Sequence, residues 1–271
     1  MPLETINGVK IFIEDYGSGD PLVLVHGSWV DHTEWPFIVP LLAPQFRVTI
    51  YDRRGHSRSE RPLAQGSIRE DVADLAAIIE RAGAPAHVLG ISMGASISLR
   101  LAAEQPALFR TLASHEPPLL DLLRDDPATR PIAENLTAAF LSVADAVAAG
   151  NMEEGARRFH EMILGPGGWD TMLTDDERRM LINNAPTFLD ETRDPEILSI
   201  DTEALSRFRG PVLLSDGSET PPFFTMVLDK LVAVLPNATR KTFAGAGHIP
   251  HVSHPQEYVK VITEFVTAAS K

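Results

Sequence analysis

The chain is predicted to be an α/β protein: a mostly parallel central sheet with helices on both faces and a helical insertion. Three observations carry this. Short apolar runs alternate with helical periodicities through residues 1–118 and again through 209–271, the pattern of a sheet covered on both sides. The stretch His87-Val88-Leu89-Gly90-Ile91-Ser92-Met93-Gly94-Ala95 reads as a strand turning sharply into a helix, with a serine held between two glycines. Between 119 and 208 the alternation stops, and helical patterns rich in Ala, Leu and Met take over.

Each element follows from local chemistry. Thr5-Ile6 and Val9 to Glu14 flank Asn7-Gly8, the dipeptide of a type I′ hairpin. Leu22 to Val25 is an unbroken apolar run after Pro21, as expected of a strand buried on both faces. It runs into His26-Gly27-Ser28-Trp29. Arg47 to Tyr51 is the next strand and closes in Asp52-Arg53-Arg54-Gly55.

Ser67 and Glu70 form a capping box, and Ile68, Val72, Leu75 and Ile79 repeat at helical spacing until Gly83. After the Ser92 turn and its helix come the strand residues Thr111 to Ala113 and the segment Ser114-His115-Glu116-Pro117-Pro118. The insertion contains helices predicted at Ile132 to Ala149, Glu153 to Leu164 and Asp175 to Asn184, interrupted by Gly165-Pro166-Gly167-Gly168. Strand Pro211 to Leu214, helix Pro222 to Leu235, strand Thr239 to Phe243 and helix Pro255 to Ala269 complete the chain. The domains are therefore a core of 1–118 with 209–271 and a helical lid of 119–208.

Composition limits the function classes. The 271 residues are 44% hydrophobic and 23% charged, with a net charge of −13 and no cysteine. Without a basic stripe, nucleic acid and anionic membranes are poor partners. Without cysteine there is no thiolate nucleophile, thiolate metal site or disulfide. No apolar run has transmembrane length, and Met1 to Thr5 lacks a basic region followed by an apolar stretch, which predicts a cytoplasmic protein. Self-association into a homo-oligomer is left open.

The chemistry centres on Ser92. A side chain at Gly90 or Gly94 would clash where strand and helix approach. The turn lifts the Ser92 hydroxyl above the sheet and leaves the Met93 amide at a helix N-terminus as a free donor.

From His26-Gly27 through Ser92 to Gly247-His248, the chain resembles the α/β-hydrolases over nearly its whole length, with nucleophile, acid and histidine in that family's order. The resemblance implies an α/β-hydrolase fold with an inserted cap. It also implies an oxyanion hole made by the amides of Met93 and Ser28, with His26 and Gly27 shaping the loop. His248 is the expected base: it follows a strand and the turn Gly245-Ala246-Gly247, and an imidazole titrates near neutrality. His251 and His254 are kept from one helical face by Pro250 and Pro255. His26, Asp31 and His32 lack the spacing of a metal cluster, so neither a metal nor any other cofactor is expected.

The acid departs from the family pattern. Most members carry it after the strand at Pro211 to Leu214, as an Asp just before a Pro; here Thr220 stands in that place. Some members carry it one strand earlier, where this chain has Glu116, and Glu116 is favoured over Asp216 and Glu219. His115-Glu116 before proline, with Ile249-Pro250-His251-Val252-Ser253-His254-Pro255, also resembles the fungal lactone hydrolases that open zearalenone. That local resemblance implies lactonase activity, with Phe188 near the substrate.

The function expected is a serine-dependent carboxylic-ester hydrolase, a carboxylesterase or lactonase forming an acyl-enzyme on small apolar or aromatic substrates. Gly27, Trp29 and Phe188 are expected to contact the substrate. Leu119, Leu120, Leu123, Met162 and Trp169 either line the lid or pack it onto the sheet. The rivals are a cofactor-free perhydrolase, a carbon–carbon hydrolase on the same triad, and a ligand-binding receptor with a vestigial triad. A serine nucleophile argues against epoxide hydrolases and haloalkane dehalogenases, which need a carboxylate.

Overall fold

A computed structural model describes residues 3–269. Its sheet has strands β1 (Leu3–Ile6), β2 (Val9–Tyr16), β3 (Asp20–Val25), β4 (Phe46–Tyr51), β5 (Ala86–Ile91), β6 (Phe109–His115), β7 (Val212–Gly217) and β8 (Ala238–Phe243). The spatial order is β1-β2-β4-β3-β5-β6-β7-β8. β1, β2 and β4 pair antiparallel, and every pair from β4·β3 to β7·β8 is parallel. The first turn takes the predicted hairpin form, with φ of 47° at Asn7 and 82° at Gly8.

The helices are α1 (Val39–Leu42), α2 (Ile68–Ala82), α3 (Met93–Glu104), α4 (Arg130–Ala148), α5 (Met152–Leu164), α6 (Gly168–Thr171), α7 (Asp175–Arg193), α8 (Thr202–Leu205), α9 (Pro222–Val234), α10 (Pro250–Ser253) and α11 (Pro255–Ala269). Along β3, Val23 and Val25 face one core shared with α2, α3 and α9, while Leu22 and Leu24 face the other, shared with α1 and α11. Successive side chains of a strand point to opposite faces, so a strand covered on both sides must be apolar throughout. Each such side chain contributes about 1.5–3 kcal/mol when fully buried.

α2 begins where Glu70 Oε2 accepts the Ser67 N–H at 3.0 Å and ends at Gly83 with φ 103°. All the helices from α4 to α8 lie between β6 and β7, with α4, α5 and α7 packed on one another.

One helix is longer than the sequence suggests. The helical pattern in the sequence spans Asp175 to Asn184, yet α7 continues to Arg193 with Pro186 inside it. Proline removes one N–H and crowds one carbonyl, a local cost that tertiary contacts can offset. Here the Arg61 guanidinium bonds the Pro186 carbonyl at 2.8 Å, and Leu181, Ala185 and Phe188 bury the helix on either side of it.

Candidate active site

The turn between β5 and α3 holds Ser92 at φ 53°, ψ −121°, a conformation costing a non-glycine residue on the order of 1–3 kcal/mol and concentrated at functional sites. Its neighbours show why the glycines are required. A Cβ on Gly90 would lie 2.4 Å from the Gly94 carbonyl oxygen, and one on Gly94 would lie 2.1 Å from the Val25 carbonyl oxygen. The Ser92 N–H donates to His115 O at 2.8 Å, which ties the turn to the end of β6.

Glu116 follows that strand end directly, itself at φ 47°. It is fully buried, and both carboxylate oxygens are engaged. Oε1 accepts the Gly217 N–H at 2.7 Å, while Oε2 accepts the Thr220 hydroxyl at 2.7 Å and meets His248 Nδ1 at 2.5 Å. Burial works against its ionisation, but the imidazoles of His115 and His248 and the Gly217 N–H outweigh that and hold it below the usual carboxylate range. With Nδ1 committed to Glu116, the other ring nitrogen of His248 is left for a reacting group. Phe224 stacks on the imidazole at 4.6 Å between centroids and 15° between planes.

The other two candidate acids are elsewhere. Asp216 is buried and takes Thr225, Thr242 and Arg240 at 2.9, 2.7 and 3.0 Å. Glu219 is exposed.

The His26-Gly27-Ser28-Trp29 loop faces Ser92: a Cβ on Gly27 would lie 3.2 Å from Ser92 Cβ. His26 Nε2 accepts the Arg53 N–H at 2.9 Å, so Nδ1 carries the proton and donates to Gly27 O, also at 2.9 Å. Burial, reinforced by Arg53, lowers the His26 pKa to about 4, which keeps the ring neutral. Glu34 Oε2 accepts the Gly27 N–H at 3.2 Å. Among the described residues the N–H groups of Ser28 and Met93 have no hydrogen-bond partner.

A cavity opens at Ser92 and is lined by Ser28, Met93 and Phe224 from the core and by Phe140, Phe159, Phe188 and Glu191 from the inserted helices. Of the residues expected to contact substrate, Phe188 lines it, while Gly27 and Trp29 do not. Trp29 is fully buried behind it at φ 71°, its ring 4.9 Å from Phe188 and 5.3 Å from Phe159. Leu119, Leu120, Leu123 and Trp169 are buried packing, and Met162 rests against the same core. Phe140, Phe159, Glu191 and Phe224 were missed. Helical periodicity marks Phe140, Phe159 and Phe224 as inward-facing, but only the packing of insertion on core shows that inward here means toward Ser92, and Glu191 lies beyond the end of the helix read from the sequence.

Two groups bring possible metal donors within 4.8 Å: His115, Glu116 and His248, and Asp31, His32 and Asp52. In the second, His32 Nδ1 meets Asp52 at 2.6 Å and Asp31 accepts Thr33 and Ser57 hydroxyls, so an ion would displace existing bonds. His251 is buried, with its ring against Trp35, and His254 bonds Ser253. No helix of the described residues is long and apolar enough to cross a membrane.

The parallel sheet, the strained serine turn and the cavity between core and insertion define a hydrolase fold. The chain belongs to the alpha/beta hydrolase family, whose model matches residues 22–261. It is 26% identical over 268 residues to the pimeloyl-acyl-carrier-protein methyl ester esterase of Yersinia pseudotuberculosis, covering 94% of this chain and 96% of that one. An alpha/beta hydrolase from Sphaerobacter thermophilus superposes with a TM-score of 0.77 at 27% identity, covering 98% of each chain. The enol-lactonase of Burkholderia xenovorans superposes at 0.79 with 18% identity, covering 98% of this chain and 100% of that one, a likeness of fold.

Proposed function

We propose that this protein hydrolyses carboxylic esters or lactones with Ser92 as nucleophile, His248 as base and Glu116 as the orienting acid. The observation that carries the reading is the 2.5 Å contact of His248 Nδ1 with Glu116, at a strand end bonded to the Ser92 turn. The relatives named as esterases point the same way.

In the proposed reaction the free His248 nitrogen takes the Ser92 proton as Oγ attacks the carbonyl carbon. The charge that develops on the carbonyl oxygen is met by the Ser28 and Met93 amides, each able to contribute ~3–4 kcal/mol to the transition state. The C–O bond breaks, and His248 returns the proton to the departing alcohol. Water, deprotonated by the same imidazole, then releases the acid and regenerates Ser92. Glu116 stays ionised throughout and stabilises the imidazolium.

The inserted helices act as a lid whose aromatic wall favours apolar or aromatic substrates. Hydrolysis of p-nitrophenyl butyrate and of a panel of lactones by wild type and Ser92→Ala tests this. Loss of more than about 10³-fold in the variant is expected. Turnover that persists in Ser92→Ala, or none by wild type on any substrate, refutes it; specific binding without turnover would indicate a receptor.

A further inference from the structure

The cavity at Ser92 has an apolar wall and few polar groups. The hydroxyls of Thr137 and Thr192 are spent on their own helices, bonded to Ala133 O and Phe188 O at 2.8 Å each. Ser28 and Ser92 belong to the reacting end. What remains is Glu191, the one charged residue among those lining the cavity.

Glu191 is 6% exposed. Its Oε1 accepts from Arg53 Nη2 at 3.1 Å, but Oε2 has no hydrogen-bond partner among the described residues. The Ser28 hydroxyl lies near enough to favour the ionised carboxyl, yet outside hydrogen-bond geometry. Arg53 does not neutralise Glu191 alone, because Nε and Nη2 of the same guanidinium are bonded to Asp71 at 3.1 and 3.0 Å. One cation therefore serves two buried carboxylates. Burial, opposed by Arg53, leaves the Glu191 carboxyl above its ordinary pKa. An unspent acceptor in an apolar wall is costly unless something donates to it, and its position beside Ser28 puts that donor close to the carbonyl under attack.

We propose that Glu191 is the specificity group of this site, with Oε2 accepting a hydrogen bond from a hydroxyl or protonated amine borne by the substrate next to its scissile carbonyl. This rests on the reading of Ser92 as the reacting end, and it narrows the substrate class to esters or lactones with a donor beside the carbonyl.

The test reads binding rather than turnover, so it fails separately from the hydrolase reading. Ser92→Ala protein is titrated calorimetrically with methyl mandelate, methyl α-methoxyphenylacetate, methyl phenylacetate and, at pH 6, phenylglycine methyl ester. The hydroxy or ammonium ester should bind on the order of tenfold tighter than the methoxy and unsubstituted ones, and which of the two leads identifies the donor. Adding Glu191→Gln, with folding checked by circular dichroism, should bring the ratio to within about threefold. Equal affinities in Ser92→Ala, no binding by any of the four, or a ratio unchanged by Glu191→Gln overturns the proposal. The first comparison stands even if the double variant fails to fold.

Discussion

Thr220 Oγ1 donates to Glu116 Oε2 at 2.7 Å, on the same oxygen that meets His248. The residue standing where the family resemblance places an acid thus donates to Glu116, the acid proposed one strand earlier.

If Glu116 orients His248, Glu116→Gln should lower kcat by about 10²–10⁴-fold while leaving the melting temperature close to wild type. Glu219→Gln should change kcat less than twofold. In a Glu116→Ala background, Thr220→Asp should recover at least about tenfold, because the carboxylate then approaches His248 from the usual strand. Steady-state hydrolysis of p-nitrophenyl butyrate decides all three.

The glycines of the serine turn should tolerate nothing larger. Gly94→Ala places a methyl 2.1 Å from backbone, so loss of soluble protein or several kcal/mol of destabilisation is expected. Gly150 is the control: its φ is +87° with nothing within 4 Å of an added Cβ, so Gly150→Ala should cost only about 1–2 kcal/mol from backbone strain. Urea denaturation of the two variants compares them directly.

Glu34 should make stability fall as pH rises. Burial pushes its carboxyl up to about 8 from its ordinary 4.5, with the Gly27 N–H opposing. Across that window the folded chain keeps a proton that the unfolded chain has lost, so rising pH favours unfolding. Glu34→Gln should remove this dependence, and the melting temperature of the variant relative to wild type should climb between pH 5 and pH 9. A flat difference would show that Glu34 ionises normally.

Arg53 and Arg69 should differ sharply. Arg53 is buried between Asp71 and Glu191, and Arg53→Met leaves both carboxylates unpaired at a cost of about 3–5 kcal/mol. Arg69 is exposed beside Glu196, and Arg69→Ala should leave thermal unfolding essentially unchanged.

What was legible in the sequence was what short-range chemistry dictates. Asn7-Gly8 demands its turn, Gly90 and Gly94 demand close backbone approach, and Ser67 with Glu70 demands a helix start. Thr220 in the usual acid position turned attention to Glu116, with Asp216 and Glu219 as alternatives; of the three, Glu116 is the one in contact with His248, and its role as acid stays part of the proposal. Trp29 was misplaced because adjacency to Gly27 says nothing about which way a left-handed residue turns its side chain. Glu191 was hidden: a helix ended at Asn184 never brings position 191 to the core, and the contacts that carry α7 past the proline are tertiary.

Those contacts also fasten one wall of the cavity. Asn184 bonds Trp29 O and the Ser57 N–H, Thr187 bonds His56, Glu191 bonds Arg53, and Asp194 accepts the Ile68 N–H at 2.7 Å. Swinging α7 outward would break this whole polar seam at once, at about 1 kcal/mol or more per bond. Helices α4 and α5 meet the cavity mainly through apolar side chains, Phe140, Leu141, Phe159 and Ile163, with Thr137 bonded to Arg124 at 2.9 Å. Leu141, 49% exposed on the same cavity, gives it an apolar rim at the surface, whereas the α7 wall is fastened by polar bonds.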